Sequence, residues 1–140
     1  MMEKYVLDSC ALIAYLSNED GAGVVKGLLD RTVSETGEIA ISMNKINLLE
    51  VYYDIYRRFG EDAAENMVSK VQSSSIEIIH EISDHVFKMA GKLKSSRRIS
   101  LADSIALAEA HSAGASIVTC DHHEFDDVEA DGDISFLWIR

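Results

Sequence analysis

Apolar residues along this chain fall into two patterns, short unbroken runs and longer stretches repeating at every third and fourth position. Residues 5–7, 39–42, 76–79, 115–119 and 134–138 are short runs of strand character. Leu12, Ile13 and Leu16, then Val24, Val25 and Leu28, repeat at helical spacing. The polar run Asn18, Glu19, Asp20, Gly21 separates them into two helices. Helical spacing returns at Ile46, Leu49, Tyr53 and Tyr56 and runs to Arg58, ahead of a terminating Gly60. Another helix is predicted over residues 62–71. Ser83 caps one carrying Val86, Phe87, Ala90 and Leu93, and Ser100 caps one over residues 101–111 that Gly114 ends. Ser9 is placed to cap the first helix, and turns are predicted at 35–37 and 73–75.

Strands alternating with helices predict an α/β fold in which a central parallel sheet is covered by helices, joined through right-handed crossovers. The nearly continuous apolar run 115–119 suits an interior strand covered on both faces. A chain of 140 residues is expected to form one domain over 1–140, with no linker or repeat. The sequence contains no proline, which blurs the predicted element ends.

Charge narrows the chemistry. With 13 Lys and Arg against 24 Asp and Glu, the formal net charge is −11. That balance disfavours non-specific attraction to nucleic acid. It leaves room for a nucleic-acid substrate if divalent ions and a local basic patch counter the field, and it suits a basic partner segment or simply a solvated surface. Cys10 and Cys120 each follow a strand-like run beside an aspartate, so a disulfide is geometrically conceivable. Two cysteines without a secretory signal do not make a disulfide scaffold, and two reduced core thiols are expected. Neither a leader-like start nor a membrane-length apolar run is evident, so a cytoplasmic protein is expected.

Asp8 and Asp121 end strand-like runs, where ligands bind in open α/β sheets. Asp103 falls in the first turn of its helix, and Glu50 lies among Leu48, Leu49 and Val51. Each has an ordinary explanation: a helix cap for Asp8, a first-turn charge for Asp103, a turn residue for Asp121, a solvated helix residue for Glu50. Carboxylates embedded in apolar faces nevertheless need a partner. Gathered around one point they repel, and a hard cation such as Mg²⁺ or Mn²⁺ would resolve the conflict.

The blocks VLDSCALIAYL, INLLEVYY, SLADSIALAEA and IVTCDHHEF, in order over residues 6–125, resemble the PIN domain family, and especially the VapC-like toxins of toxin–antitoxin pairs. The resemblance implies a metal-dependent endoribonuclease with a PIN-like three-layer sandwich. It assigns Asp8, Glu50, Asp103 and Asp121 as catalytic and metal-holding residues. Glu50 then either holds a second ion or acts through water. Ser9 and Thr119 match small hydroxyl positions that orient water or a carboxylate, and Phe125 matches a packing aromatic. Serine in place of the usual threonine at position 9, followed by Cys10, departs mildly from the family pattern. The implied cofactor is Mg²⁺, with Mn²⁺ as a substitute. The implied partners are an RNA substrate, a small antitoxin protein and a second copy of the chain, with no membrane; the helix bearing Leu48 and Tyr56 is the expected dimer surface.

Lys88, Lys92, Lys94, Arg97 and Arg98 form a basic cluster suited either to guiding an RNA backbone or to a solvated helix. Asn47 shares a helical face with Glu50, as a supporting donor or a helix-start polar residue. His122 and His123 are expected in a turn. Tyr52, Tyr53 and Tyr56 suit core or dimer packing better than a base-stacking platform. Two other functions remain open: a PIN nuclease of RNA processing or decay without an antitoxin, and a non-catalytic interaction domain. No Gly-rich phosphate loop supports a nucleotide-binding reading.

Overall fold

In the computed structural model, which describes residues 2–32 and 37–140, strands and helices alternate through the chain. β1 (Glu3–Leu7), β2 (Ile39–Asn44), β3 (Ile76–Ile79), β4 (Ser116–Thr119) and β5 (Ser135–Trp138) form one parallel sheet in the order β3-β2-β1-β4-β5. The helices are α1 (Ser9–Leu16), α2 (Ala22–Thr32), α3 (Lys45–Phe59), α4 (Glu61–Gln72), α5 (Asp84–Ser96), α6 (Leu101–Ala113) and α7 (His122–Ala130). This is the predicted α/β class with its central parallel sheet. The expected turn at 35–37 lies mostly outside the described residues.

Side chains alternate across each strand and divide the core in two. Leu7, Ile39, Ile41, Met43 and Val118 pack under α1 to α4, against Leu12, Val25, Leu48, Val51 and Met67. Val6 and Ile117, one residue away, pack on the other face against Leu93 of α5, Ala106, Leu107 and Ala110 of α6, and Phe125 and Val128 of α7. Burying one such side chain fully contributes roughly 1.5–3 kcal/mol. The interior strand predicted at 115–119 is β4, flanked by β1 and β5, with Ile117, Val118 and Thr119 fully buried.

Several elements differ from the sequence reading. β1 begins two residues early, because Glu3 and Lys4 pair with Ile39 and Ala40 although their side chains are exposed. α7 covers His122 and His123, which were expected in a turn. Ser83 and Ser100 do cap α5 and α6, their hydroxyls accepting from Val86 N and Asp103 N. Gly114 closes α6 in the left-handed region at φ 62°, a conformation that costs glycine little. Gly21, at φ 95°, lets the backbone after β5 pass so close that a Cβ there would stand 2.7 Å from the Ile139 carbonyl oxygen.

Candidate functional site

The chain builds β1, β2 and β3 outward in one direction, then returns to place β4 and β5 on the other side of β1. The carboxyl ends of β1 and β4 therefore flank the switch point, where an open α/β sheet leaves a crevice. Asp8 follows β1 directly, Thr119 ends β4, and Asp121 follows two residues later.

Asp8 is 1% exposed. Its Oδ1 accepts from Ala11 N at 2.8 Å, and its Oδ2 accepts from the Thr119 hydroxyl. Asp8 is thus the cap of α1, and Ser9, expected in that role, is the first helical residue. The Ser9 hydroxyl turns instead to Glu50 Oε1 on α3. Asn47, one turn before Glu50, is fully buried, and its Nδ2 donates to Ala102 O at 2.9 Å. That bond ties α3 to the first turn of α6, where Asp103 sits. On the other strand, Asp121 N donates to Thr119 Oγ1 at 3.1 Å, and Asp121 Oδ1 accepts from Glu124 N at 3.2 Å, capping α7.

Glu50, Asp103 and Asp121 line one groove with Ser9, Cys10 and Ile13, while Asp8 lies buried behind them. Asp103, Asp121 and Glu124 each offer an oxygen within 4.8 Å of the others. Glu124 was not anticipated from the sequence. Its signal was the three-residue spacing from Asp121, which places both on one face only if 122–130 is helical. Expecting a turn at the two histidines hid it.

The electrostatics follow from crowding and burial. The Asp8 carboxyl is raised to about 7, first by burial and further by Asp103 and Asp121, against the opposing bonds from Thr119 and Ala11. Asp103 is also raised to about 7, first by burial and then by Glu50, Asp121 and Glu124, with its Ser100 contact opposing. The donor set fits a hard divalent cation: every candidate ligand is oxygen, and Glu124 Oε2 is buried without a hydrogen-bond partner. Oxygens gathered within 4.8 Å of one another can close on one Mg²⁺, whose ligands stand at about 2.1 Å each, with small side-chain adjustments.

Cys10 and Cys120 are joined as a disulfide with Cα atoms 6.1 Å apart, contrary to the expected pair of reduced core thiols. Both are only partly buried, and the adjacency of β1 and β4 brings their following residues together. The bridge fastens Asp8 and Ser9 to Thr119 and Asp121. Cross-linking across 110 residues is worth about 4–5 kcal/mol on a chain-entropy estimate. Replacing both cysteines by serine is therefore expected to lower the Tm by roughly 10 °C under non-reducing conditions. Thermal unfolding with and without dithiothreitol checks this; an unchanged Tm in both variant and reduced protein would show that the bridge contributes nothing.

The remaining sequence candidates separate. None of Lys88, Lys92, Lys94, Arg97 and Arg98 lines the acidic groove, and Arg97 pairs with Asp131. Tyr52 donates to Glu65 at 2.7 Å and lies 5.9 Å from the Tyr56 ring, whereas Tyr53 lines the groove. Phe125 is fully buried and packs against Phe136. A larger cavity beside β3, with a mostly apolar wall that includes Leu48, Leu49, Ile76 and Ile78 beside Lys45 and His80, has no carboxylate in its wall.

The sequence model of the PIN domain matches residues 5–131. Among solved structures, DNA-bound VapBC from Salmonella typhimurium aligns with a TM-score of 0.75 at 15% identity, covering 99% of this chain and 100% of that one. VapBC2 from Rickettsia felis, bound to a DNA fragment from its promoter, aligns at 0.71 with 17% identity, covering 96% and 97%. VapC20 from Mycobacterium tuberculosis, a sarcin-ricin loop cleaving toxin, aligns at 0.66 with 16% identity, covering 91% and 95%. At these identities the likeness is one of fold. No curated protein sequence matches the chain.

Proposed function

The chain belongs to the PIN domain family, and from that membership and its acidic groove we propose a divalent-metal-dependent endoribonuclease that serves as the toxin of a toxin–antitoxin pair. The observation that carries the reading is the gathering of Glu50, Asp103, Asp121 and Glu124, with Asp8 behind them, at the switch point of a parallel sheet. The family match over residues 5–131 supports a single nuclease domain.

Asp103, Asp121 and Glu124 would hold the ion, with Asp8 completing the set and Glu50 acting through water. When bound, Mg²⁺ or Mn²⁺ supplies Lewis-acid charge that acidifies water and offsets charge on the phosphoryl oxygens. The protein's own groups do the positioning. The Thr119 hydroxyl holds Asp8 while its oxygen receives the Asp121 amide, so one residue fixes two carboxylates. Each Asp8 oxygen accepts a single bond from the protein and keeps acceptor capacity. The Ser9 hydroxyl fixes Glu50 through Oε1, leaving Oε2 to accept a proton from the water that attacks phosphorus. The water oxygen forms the new P–O bond as the bond to the leaving nucleotide's oxygen breaks, and that oxygen takes a proton from solvent.

Two VapBC structures among the similar folds support an antitoxin partner. The net charge of −11 and the acidic groove favour a basic or amphipathic antitoxin segment that places an Arg or Lys beside Asp103 and in front of Asp8. Exposed Leu49, Tyr56 and Phe59 on α3 support the same helix as a homodimer surface. No helix of the described residues is long and apolar enough to cross a membrane.

The test is cleavage of matched RNA and DNA oligonucleotides by the purified chain with Mg²⁺, followed by co-expression with the small gene adjacent to its own. RNA cleavage suppressed by a co-purifying neighbour is expected. RNA cleavage with no neighbour that binds or inhibits would move the protein to RNA processing. Absence of cleavage with Mg²⁺ or Mn²⁺ would reject the nuclease reading.

A further inference from the structure

A polyanion approaching a protein of net charge −11 needs local cations, and the acidic groove carries two, Arg57 and Arg140. Glu50, Tyr53, Asp54 and Arg57 all line it, and their i, i+3, i+4, i+7 spacing makes one stripe of α3. The stripe continues from buried Asn47 through half-buried Glu50 to Tyr53, 49% exposed, and Arg57, whose side chain is 71% exposed. At 1.5 Å per residue, Arg57 stands about 10 Å beyond Glu50 along the helix. Its guanidinium lies 5.8 Å from the Tyr53 ring centroid. Arg140 reaches the same groove from beyond β5, held by Glu19 Oε1 at 3.2 Å and Asp20 O at 3.0 Å. Gly21 makes that approach possible, since any Cβ there would strike Ile139.

Resting on the ribonuclease reading, we propose that Tyr53, Arg57 and Arg140 form the substrate-positioning rim of the groove for single-stranded RNA. Tyr53 stacks an unpaired base next to the scissile phosphate, and the two guanidinium groups hold neighbouring phosphates. Each arginine is oriented by one carboxylate, Asp54 for Arg57 and Glu19 for Arg140, at distances of 3.3 and 3.2 Å. A guanidinium has five donors, so the paired groups retain hydrogen bonds for a phosphate. Solvent-exposed ion pairs contribute little, so trading water for phosphate around them costs little. The other tyrosines of α3 do not serve: Tyr52 is bonded to Glu65, and neither it nor Tyr56 lines this groove. The basic cluster from Lys88 to Arg98 lines it nowhere. A flat aromatic beside an arginine is the sequence-tolerant arrangement that binds single strands.

The experiment measures KM and kcat on one single-stranded RNA that the wild type cuts, for Tyr53→Ala, Tyr53→Phe, Arg57→Gln and Lys88→Gln, across a salt series. Tyr53→Ala and Arg57→Gln are expected to raise KM about fivefold or more with kcat within about twofold, as loss of one stacked base or one phosphate contact would. Tyr53→Phe keeps the ring and should match the wild type, as should Lys88→Gln. Arg57→Gln alone should reduce the slope of log(kcat/KM) against log[salt], by roughly 0.7. Thermal stability and Mn²⁺ affinity should be unchanged in all four, which separates positioning from structural damage. Unchanged KM and salt slope for Tyr53→Ala and Arg57→Gln would overturn the rim while leaving the nuclease reading intact. So would a loss confined to kcat, or a KM effect found in Lys88→Gln instead. A wild type that cuts no RNA overturns the nuclease reading itself, and the rim with it.

Discussion

Asp103→Asn is expected to lower metal-dependent RNA cleavage by about 10³-fold or more while leaving the fold intact. Asp103 lines the groove, lies within 4.8 Å of Asp121 and Glu124, and feels the charge of Glu50. The substitution replaces an anionic carboxylate of the cluster with a neutral amide, which holds a hard cation far less well. Several kcal/mol of transition-state stabilisation depend on a bound ion, and about 4 kcal/mol is a factor of roughly 10³. Asparagine keeps the volume, and the Ser100 cap of α6 uses the backbone amide of residue 103, which the substitution leaves in place. Asp8→Asn is expected to be equally inactive through loss of its negative charge, and to keep the fold, since asparagine can still cap α1 through its side-chain oxygen. Circular dichroism and thermal melts separate loss of chemistry from loss of fold; cleavage within tenfold of wild type in both variants would reject the assigned carboxylates.

The metal-free protein should lose stability as pH rises from about 4 to about 7. Asp8 and Asp103 are raised to about 7 in the folded chain, against an unfolded value of about 3.9. Between those values the folded state binds more protons than the unfolded state, so the slope of stability against pH is negative. Below the window both states are protonated, and the penalty is absent. For Asp8 alone a shift of three units corresponds to about 4 kcal/mol; the effects of the two groups overlap because they share their mutual repulsion. In EDTA the Tm is expected to fall by roughly 10 °C between pH 5 and pH 7.5. Asp8→Asn should flatten that decline and make the metal-free protein more stable than wild type at pH 7.5. Excess Mg²⁺ or Mn²⁺ should restore the wild type at pH 7.5 by mass action. A Tm in EDTA that rises across this range would contradict the crowding of carboxylates.

Much of the fold was legible because local chemistry and tertiary burial agree. Ile76 to Ile79 reads as a strand and is one, and Ser83 and Ser100 precede periodic apolar runs and cap them. α7 was lost because HHEFDDVEA carries only Phe125 and Val128 as large apolar residues, a stripe too thin to register against seven other positions. Ser9 and Asp8 are both competent caps side by side, and only the backbone geometry chooses Asp8. The bridge between Cys10 and Cys120 depends on β1 lying next to β4, a strand order that periodicity does not encode. Asp8, Glu50, Asp103 and Asp121 were legible as candidates from position relative to strands and from apolar surroundings, and the structure brings Glu50, Asp103 and Asp121 to one groove. Glu124 and the rim of Tyr53, Arg57 and Arg140 needed the three-dimensional groove.

Cleavage of one RNA and occupancy of Mn²⁺, followed on the same samples by gel and by electron paramagnetic resonance, bear most directly on the acidic groove as a metal-dependent nuclease centre. Cleavage is expected to rise in step with bound Mn²⁺, to vanish in EDTA, and to be lost together with binding in Asp103→Asn. Cleavage that persists in EDTA, or Mn²⁺ binding and cleavage equal to wild type in Asp103→Asn, would contradict it.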